Sequence, residues 1–263
     1  MTRGRLLVGT SGFAYPAWAP RFYPSGVKGD ALLPFYAGHL PAVELNNTFY
    51  ARPTAAKIAA WVAATPPDFR FVVKAQRGAA MRALTTAVTD TPEDGVRWLT
   101  EDLDGFRERL GAVLFRVPHN IHRKPEAGSD DALRRLLATW PASIPLVAEF
   151  QHVSWHVDET YAALRAAGTS LCSTELPEDE EAPTIRMTGR LVYLRLRRHD
   201  YDQPALRTWA GRIAPFLDAG HDAYVFFRHD ESGRGPELAS ELRAAVDRAQ
   251  AGPGAGTGGS PGA

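Results

Sequence analysis

Hydrophobic residues in this chain gather into short unbroken runs, and each run closes on charged, amide or hydroxyl side chains. Eight such runs stand out: RLLVGTS (5–11), AVELNN (42–47), FRFVVKAQ (69–76), AVLFRVP (112–118), PLVAEFQ (145–151), SLCSTE (170–175), LVYLRLR (191–197) and DAYVFFRH (222–229). Continuous rather than alternating apolar character is what strands covered on both faces require. Between the runs the spacing changes to that of helices. PTAAKIAAWVAAT (53–65) sets Ile58, Trp61 and Val62 on one face, and GVRWLTEDLDGFRERL (95–110) does so with Val96, Leu99, Leu103, Phe106 and Leu110. DDALRRLLATW (130–140), DETYAALRAAG (158–168), LRTWAGRIAPFLDAG (206–220) and PELASELRAAVDRAQ (236–250) follow the same rule.

Strand and helix alternating about eight times is the pattern of a TIM (β/α)8 barrel with parallel strands. A doubly wound open sheet would carry a glycine-rich phosphate loop after its first strand. Here the first turn is GTSGFAYPAW (9–18), with neither spacing. One barrel domain is expected over residues 1–250. The tail AGPGAGTGGSPGA (251–263) has the composition of a disordered segment.

Charge and cysteine content narrow the classes. Lys plus Arg and Asp plus Glu are 30 each, so no global field directs the chain to nucleic acid or a membrane. The single Cys172 rules out an intrachain disulfide and a thiolate zinc cluster, and its apolar strand marks it as packing. Only three apolar residues in a row precede Gly9, too few for a signal peptide, and no run approaches the roughly 18 of a membrane span. A soluble, cytoplasmic protein with no membrane partner is the expectation, its oligomeric state left open.

In a TIM barrel the chemistry lies at the C-terminal strand ends. Side-chain alternation puts Glu44 with Asn46, Lys74 with Gln76, Glu149 with Gln151 and Arg195 with Arg197 on one face of their strands, and sends Leu45, Ala75, Phe150 and Leu196 toward the helices. The segment LVAEFQHVSW (146–155) is the most pointed case. A carboxylate in a dry strand costs several kcal/mol unless paired or protonated, and Glu149 sits in such a strand with Gln151, His152 and Trp155 at its end. Arg116, Arg195, Arg197, Arg198 and Arg228, with Lys74, outnumber Glu44, Glu149 and Glu175, and arginines suit bidentate binding of phosphate or carboxylate. Aromatics Tyr15, Trp18, Phe49, Tyr50, Trp155 and Tyr201 fall in or near the same loops. Against this stands a purely structural reading, in which Glu–Lys and Glu–Arg pairs fill the barrel interior.

AVELNNTFYARP (42–53), FRFVVKAQR (69–77) and VAEFQHVSW (147–155) resemble the YecE-like family, the domain-of-unknown-function 72 family. GTSGFAYPAW (9–18), LFRVP (114–118) and YLRLR (193–197) support the match, which spans nearly everything but the tail. The resemblance implies a TIM barrel and a pocket that includes Glu44, Asn46, Lys74, Glu149, His152, Trp155, Arg195 and Tyr201, but no reaction. The chain departs from the family pattern at Gln151, where arginine is usual, and at Arg116, Arg197, Arg198, Arg228 and His229, where uncharged residues and a His-Gly pair are usual.

These readings converge on an enzyme acting on a small anionic substrate, a phosphorylated sugar or nucleotide-like molecule, as a hydrolase, lyase or isomerase. Glu149, His152, Glu44 and Lys74 are its candidate catalytic residues. Asn46, Arg116, Gln151, Trp155, Arg195, Arg197, Tyr201 and Arg228 are its candidate binding residues. No cofactor and no metal are expected. The alternative is a non-catalytic binding protein for a phosphorylated ligand or a nucleic acid end, and a third reading is a metal-dependent hydrolase.

Overall fold

The computed structural model describes residues 2–85, 92–179 and 181–251. Each of the eight apolar runs forms a strand: β1 Leu6–Ser11, β2 Ala42–Leu45, β3 Arg70–Lys74, β4 Leu110–Val117, β5 Leu146–Phe150, β6 Ser170–Glu175, β7 Val192–Leu196 and β8 Ala223–Phe227. They pair in parallel, each with the next, and β8 closes onto β1. With helices packed outside, this is a TIM barrel. The expected disordered tail lies, from residue 252 on, outside the described residues.

The helices are α1 Leu32–Ala37, α2 Ala55–Ala63, α3 Arg77–Thr85, α4 Pro92–Thr100, α5 Ser129–Thr139, α6 Asp158–Ala166, α7 Gln203–Asp218 and α8 Arg234–Ala251. Local sequence starts several of them. The Thr54 hydroxyl caps α2 by accepting the Lys57 N–H, and the Asp202 carboxylate caps α7 through the Ala205 N–H. Two helices follow β3, whereas no helix among the described residues joins β6 to β7.

The single helix expected over 95–110 is not formed. α4 stops at Thr100, Asp102 adopts a left-handed φ of 66°, and 3-10 turns run from Leu103 to Arg109. Val96, Leu99, Leu103 and Phe106 are still buried, as their spacing requires. The break turns the second half onto α2, where Phe106 stacks on Trp61. Two helices were missed in sequence. α1 has only six residues, too short to show a period, and α3 gains its start from Gln76, whose side-chain oxygen accepts the Ala79 N–H at 2.8 Å.

Alternation divides the core in two. Inside the barrel pack Leu7, Val72, Leu114, Val147, Tyr193 and Phe226, among others. Outside, a larger layer seals strands to helices. Gly9 marks where β1 has no room for a side chain: a Cβ there would lie 1.9 Å from the Ala42 carbonyl oxygen and 2.8 Å from the Tyr36 hydroxyl. That hydroxyl also accepts the Thr10 N–H, so it cannot simply swing aside. Gly9→Ala is therefore expected to destabilise the fold by at least about 1–3 kcal/mol, the usual cost of overpacking, measured as a lower urea midpoint.

Candidate functional site

Five strands, β2, β3, β4, β5 and β7, deliver charged side chains to one cluster in the C-terminal half of the barrel. Arg195 on β7 is the centre, almost fully buried, with its Nη2 3.0 Å from Glu44 Oε1 and its Nη1 2.8 Å from Glu149 Oε1. Glu44 on β2 also accepts from Ser11 Oγ at 2.6 Å and from the Tyr193 hydroxyl at 2.8 Å, and pairs with Lys74 Nζ at 2.8 Å. Lys74 on β3 donates in addition to Asn46 Oδ1. Glu149 on β5 accepts from Thr174 Oγ1 at 2.8 Å and lies 3.1 Å from Arg116 Nε, without hydrogen-bond alignment for the latter.

Burial alone would raise both carboxyls. The charges of Arg195 and Lys74 hold Glu44 well below the ordinary range instead, and those of Arg195 and Arg116 lower Glu149. Lys74 is lowered as well, which for an ammonium favours the neutral form. Burial, helped by the positive Arg195, lowers its ammonium to about 8 against the pull of Glu44. Arg197, two residues beyond Arg195, is lowered by burial and by Arg195.

Above this cluster the strand ends and loops enclose a cavity of about 280 Å3. Lys74, Arg116, Arg195 and Arg197 line it with Asn46 and Ser11, and Tyr15, Phe49, Tyr50 and His229 form its aromatic edge. Arg116 lies over the Phe49 ring at 5.9 Å, and His229 stacks on Tyr15 at 5.0 Å. Four cations thus face two carboxylates. Among the described residues, the Arg197 side chain has no hydrogen-bonding or ion-pair partner.

The structure therefore brings together Glu44, Asn46, Lys74, Arg116, Glu149, Arg195 and Arg197. The remaining candidates are elsewhere. His152 stacks on His122 at 3.7 Å and holds Ser154 through Nδ1, away from the lining of the mouth cavity. Gln151 is exposed and borders a different cavity, outside β5 and β6. Trp155 is buried against Phe150 and donates to the Ile121 carbonyl. Tyr201 donates to Glu175 at 2.6 Å in a separate cluster, where Glu175 also meets Arg198. Arg228 lines a neighbouring cavity of about 470 Å3 beyond Tyr15 and His229. Gln76 caps α3 instead of following Lys74 into the site.

Tyr193 and Thr174 were missed. Both read as ordinary members of buried strands, yet Tyr193 stands two residues from Arg195, so strand parity could have placed it on the same face. Among the described residues no group of three or more His, Cys, Asp or Glu is placed to hold a metal ion, and no helix is long and apolar enough to cross a membrane.

The family described as "Protein of unknown function DUF72" matches residues 7–260. The chain belongs to the DUF72 family. A DUF72 family protein of Thermotoga maritima MSB8 has the same fold with a TM-score of 0.78 at 24% identity, over 92% of this chain and 99% of that one. One from Enterococcus faecalis V583 gives 0.74 at 19% identity, over 94% and 99%. The UPF0759 protein YunF of Bacillus subtilis (strain 168) is 24% identical over 260 residues, 86% of this chain and 90% of that protein. The match agrees with the resemblance read from the motifs around Glu44, Lys74 and Glu149.

Two outcomes follow for this DUF72 barrel. Arg195→Met strands two buried carboxylates and should cost about 3–5 kcal/mol, as breaking a buried ion pair does, read from chemical denaturation. Glu44 and Glu149 have folded values below their unfolded ones, so the unfolded chain takes up protons first as pH falls. Stability should accordingly drop below about pH 4.5, and the drop should be shallower in Glu149→Gln, as measured by urea midpoints across pH.

Proposed function

We propose that this protein is an enzyme for a small anionic substrate, a phosphorylated sugar or nucleotide-like molecule, bound at the barrel mouth, with Lys74 moving the proton. The observation that carries the reading is the half-buried Arg197 guanidinium, unpartnered among the described residues, in the cavity that also holds Lys74, Arg116 and Arg195. An unneutralised cation in a partly dry site favours an anion as its missing partner.

Proton transfer is best served by a group that titrates near the working pH. Lys74, at about 8, meets that condition and faces the cavity. Glu149 meets it less well, because Arg195 and Arg116 keep it ionised, and His152 is outside the cavity lining. In this scheme Glu44 and Asn46 orient the Lys74 ammonium, and Glu149 holds Arg195 and Arg116 in place.

Inorganic phosphate, sugar phosphates and nucleoside monophosphates at low salt should raise the melting temperature. Arg197→Ala should weaken phosphate binding about 10–100-fold, the worth of a charge-assisted hydrogen bond, in calorimetric titration. A protonated Lys74 adds positive charge, so affinity should be highest below pH 8 and fall as pH rises through about 8. Lys74→Met should remove that step and abolish turnover. A binder with no turnover on the panel would reduce the reading to a binding protein, and the absence of any phosphate effect would overturn it.

A further inference from the structure

The ladder between β5 and β6 is the shortest in the barrel. β4 pairs with β5 over five residue pairs and β6 with β7 over four, but β5 meets β6 over two only, Val147 with Ser170 and Ala148 with Leu171. Past those pairs lies a cavity of about 610 Å3, larger than the mouth cavity. Glu149, Cys172 and Thr174 line it, and so do Phe150, Leu171 and Ser173. Successive strand residues face opposite sides of a sheet. Glu149 and Thr174 join the ion cluster inside the barrel, whereas Phe150 packs outward on Trp155 and Ser173 outward to the Thr184 carbonyl. The cavity borders both sets beside the point where the β5–β6 pairing stops. Residues of the connection from β6 to β7, among them Leu176, Pro183 and Thr184, form part of its wall, and no helix lies among the described residues of that connection.

The chemistry of this cavity differs from that of the mouth. Among the described lining residues the charged group at its inner end is Glu149, and Arg195, Arg116 and Thr174 already engage both of its oxygens. Around it are the Thr174 hydroxyl, the Cys172 thiol and the apolar Phe150 and Leu171. Charged lining residues such as Glu178 and Arg186 are exposed at the outer rim, and Arg186 rests over the Tyr161 ring at 4.9 Å. A charged ligand brought to the inner end would find no free counter-charge there and would lose its hydration. A neutral one would lose little.

We infer that this lateral cavity is a second ligand pocket, which admits a small uncharged molecule, such as an alcohol, an amide or a neutral ring, through the side of the barrel to Thr174 and Glu149. The inference is independent of the anion reading of the mouth. Two routes of opposite preference would let a neutral reactant reach the ion cluster while an anion fills the mouth.

Cys172 is the sole cysteine and lies at the inner end, so it reports on entry. The native chain is treated at about pH 8.5 with neutral methyl methanethiosulfonate or with its anionic 2-sulfonatoethyl analogue, each rate being normalised to a free thiol. The thiolate attacks the sulfenyl sulfur, a mixed disulfide forms, and methanesulfinate leaves. The neutral reagent should react faster than global unfolding allows and at least about tenfold faster than the anionic one. Gln151→Trp, at the exposed rim, should slow the neutral reagent by about tenfold or more without changing the reaction of unfolded protein. Modification no faster than unfolding, or equal rates for the two reagents, would overturn the proposal. So would slowing by Arg197→Trp at the mouth but not by Gln151→Trp. If Gln151→Trp fails to fold, the comparison of the two reagents on the native chain still decides.

Discussion

The site depends on one guanidinium. Arg195 reaches from β7 across the barrel interior and bridges Glu44 on β2 to Glu149 on β5. Each of these ions alone would be expensive inside the barrel, and together they are tolerable because each satisfies another. The bridge also sets the electrostatics of everything nearby. It keeps both carboxyls ionised, helps depress the Lys74 ammonium, and leaves Arg197 next to a charge of its own sign.

Around that bridge the protein presents two unlike approaches. At the mouth, cations exceed carboxylates, and one of them has no partner among the described residues. At the side, Glu149 shows a face whose charge is already spent on Arg195, Arg116 and Thr174. One ion cluster therefore underlies two cavities, with Arg195 lining the mouth and its partner Glu149 the side.

The architecture was legible because buried parallel strands announce themselves as short apolar runs, and all eight runs became strands. Parity carried one residue past the strand end was informative on two strands. Asn46, Arg195 and Arg197 line one cavity, and Glu44 is buried against Arg195 beneath it. All four partners lie just past their strands, and parity failed where the next segment gave the side chain another place: Gln76 caps α3, and Gln151 is exposed to solvent. The expected helix over 95–110 failed for a related reason: apolar spacing records which residues are buried, and two short pieces bent onto α2 bury the same ones.

By itself the sequence determined the fold class, the family and the set of charged strand ends, since these follow from local periodicity and residue type. It could not determine which charges neutralise which. Glu44 and Arg195 are separated by 151 positions, and only closure of the barrel brings them within 3.0 Å. The tertiary structure alone decided that Lys74 is desolvated, that His152 turns away to His122, and that β5 and β6 part beside Glu149. Distances and dielectric surroundings are properties of the closed barrel, and no single strand contains them.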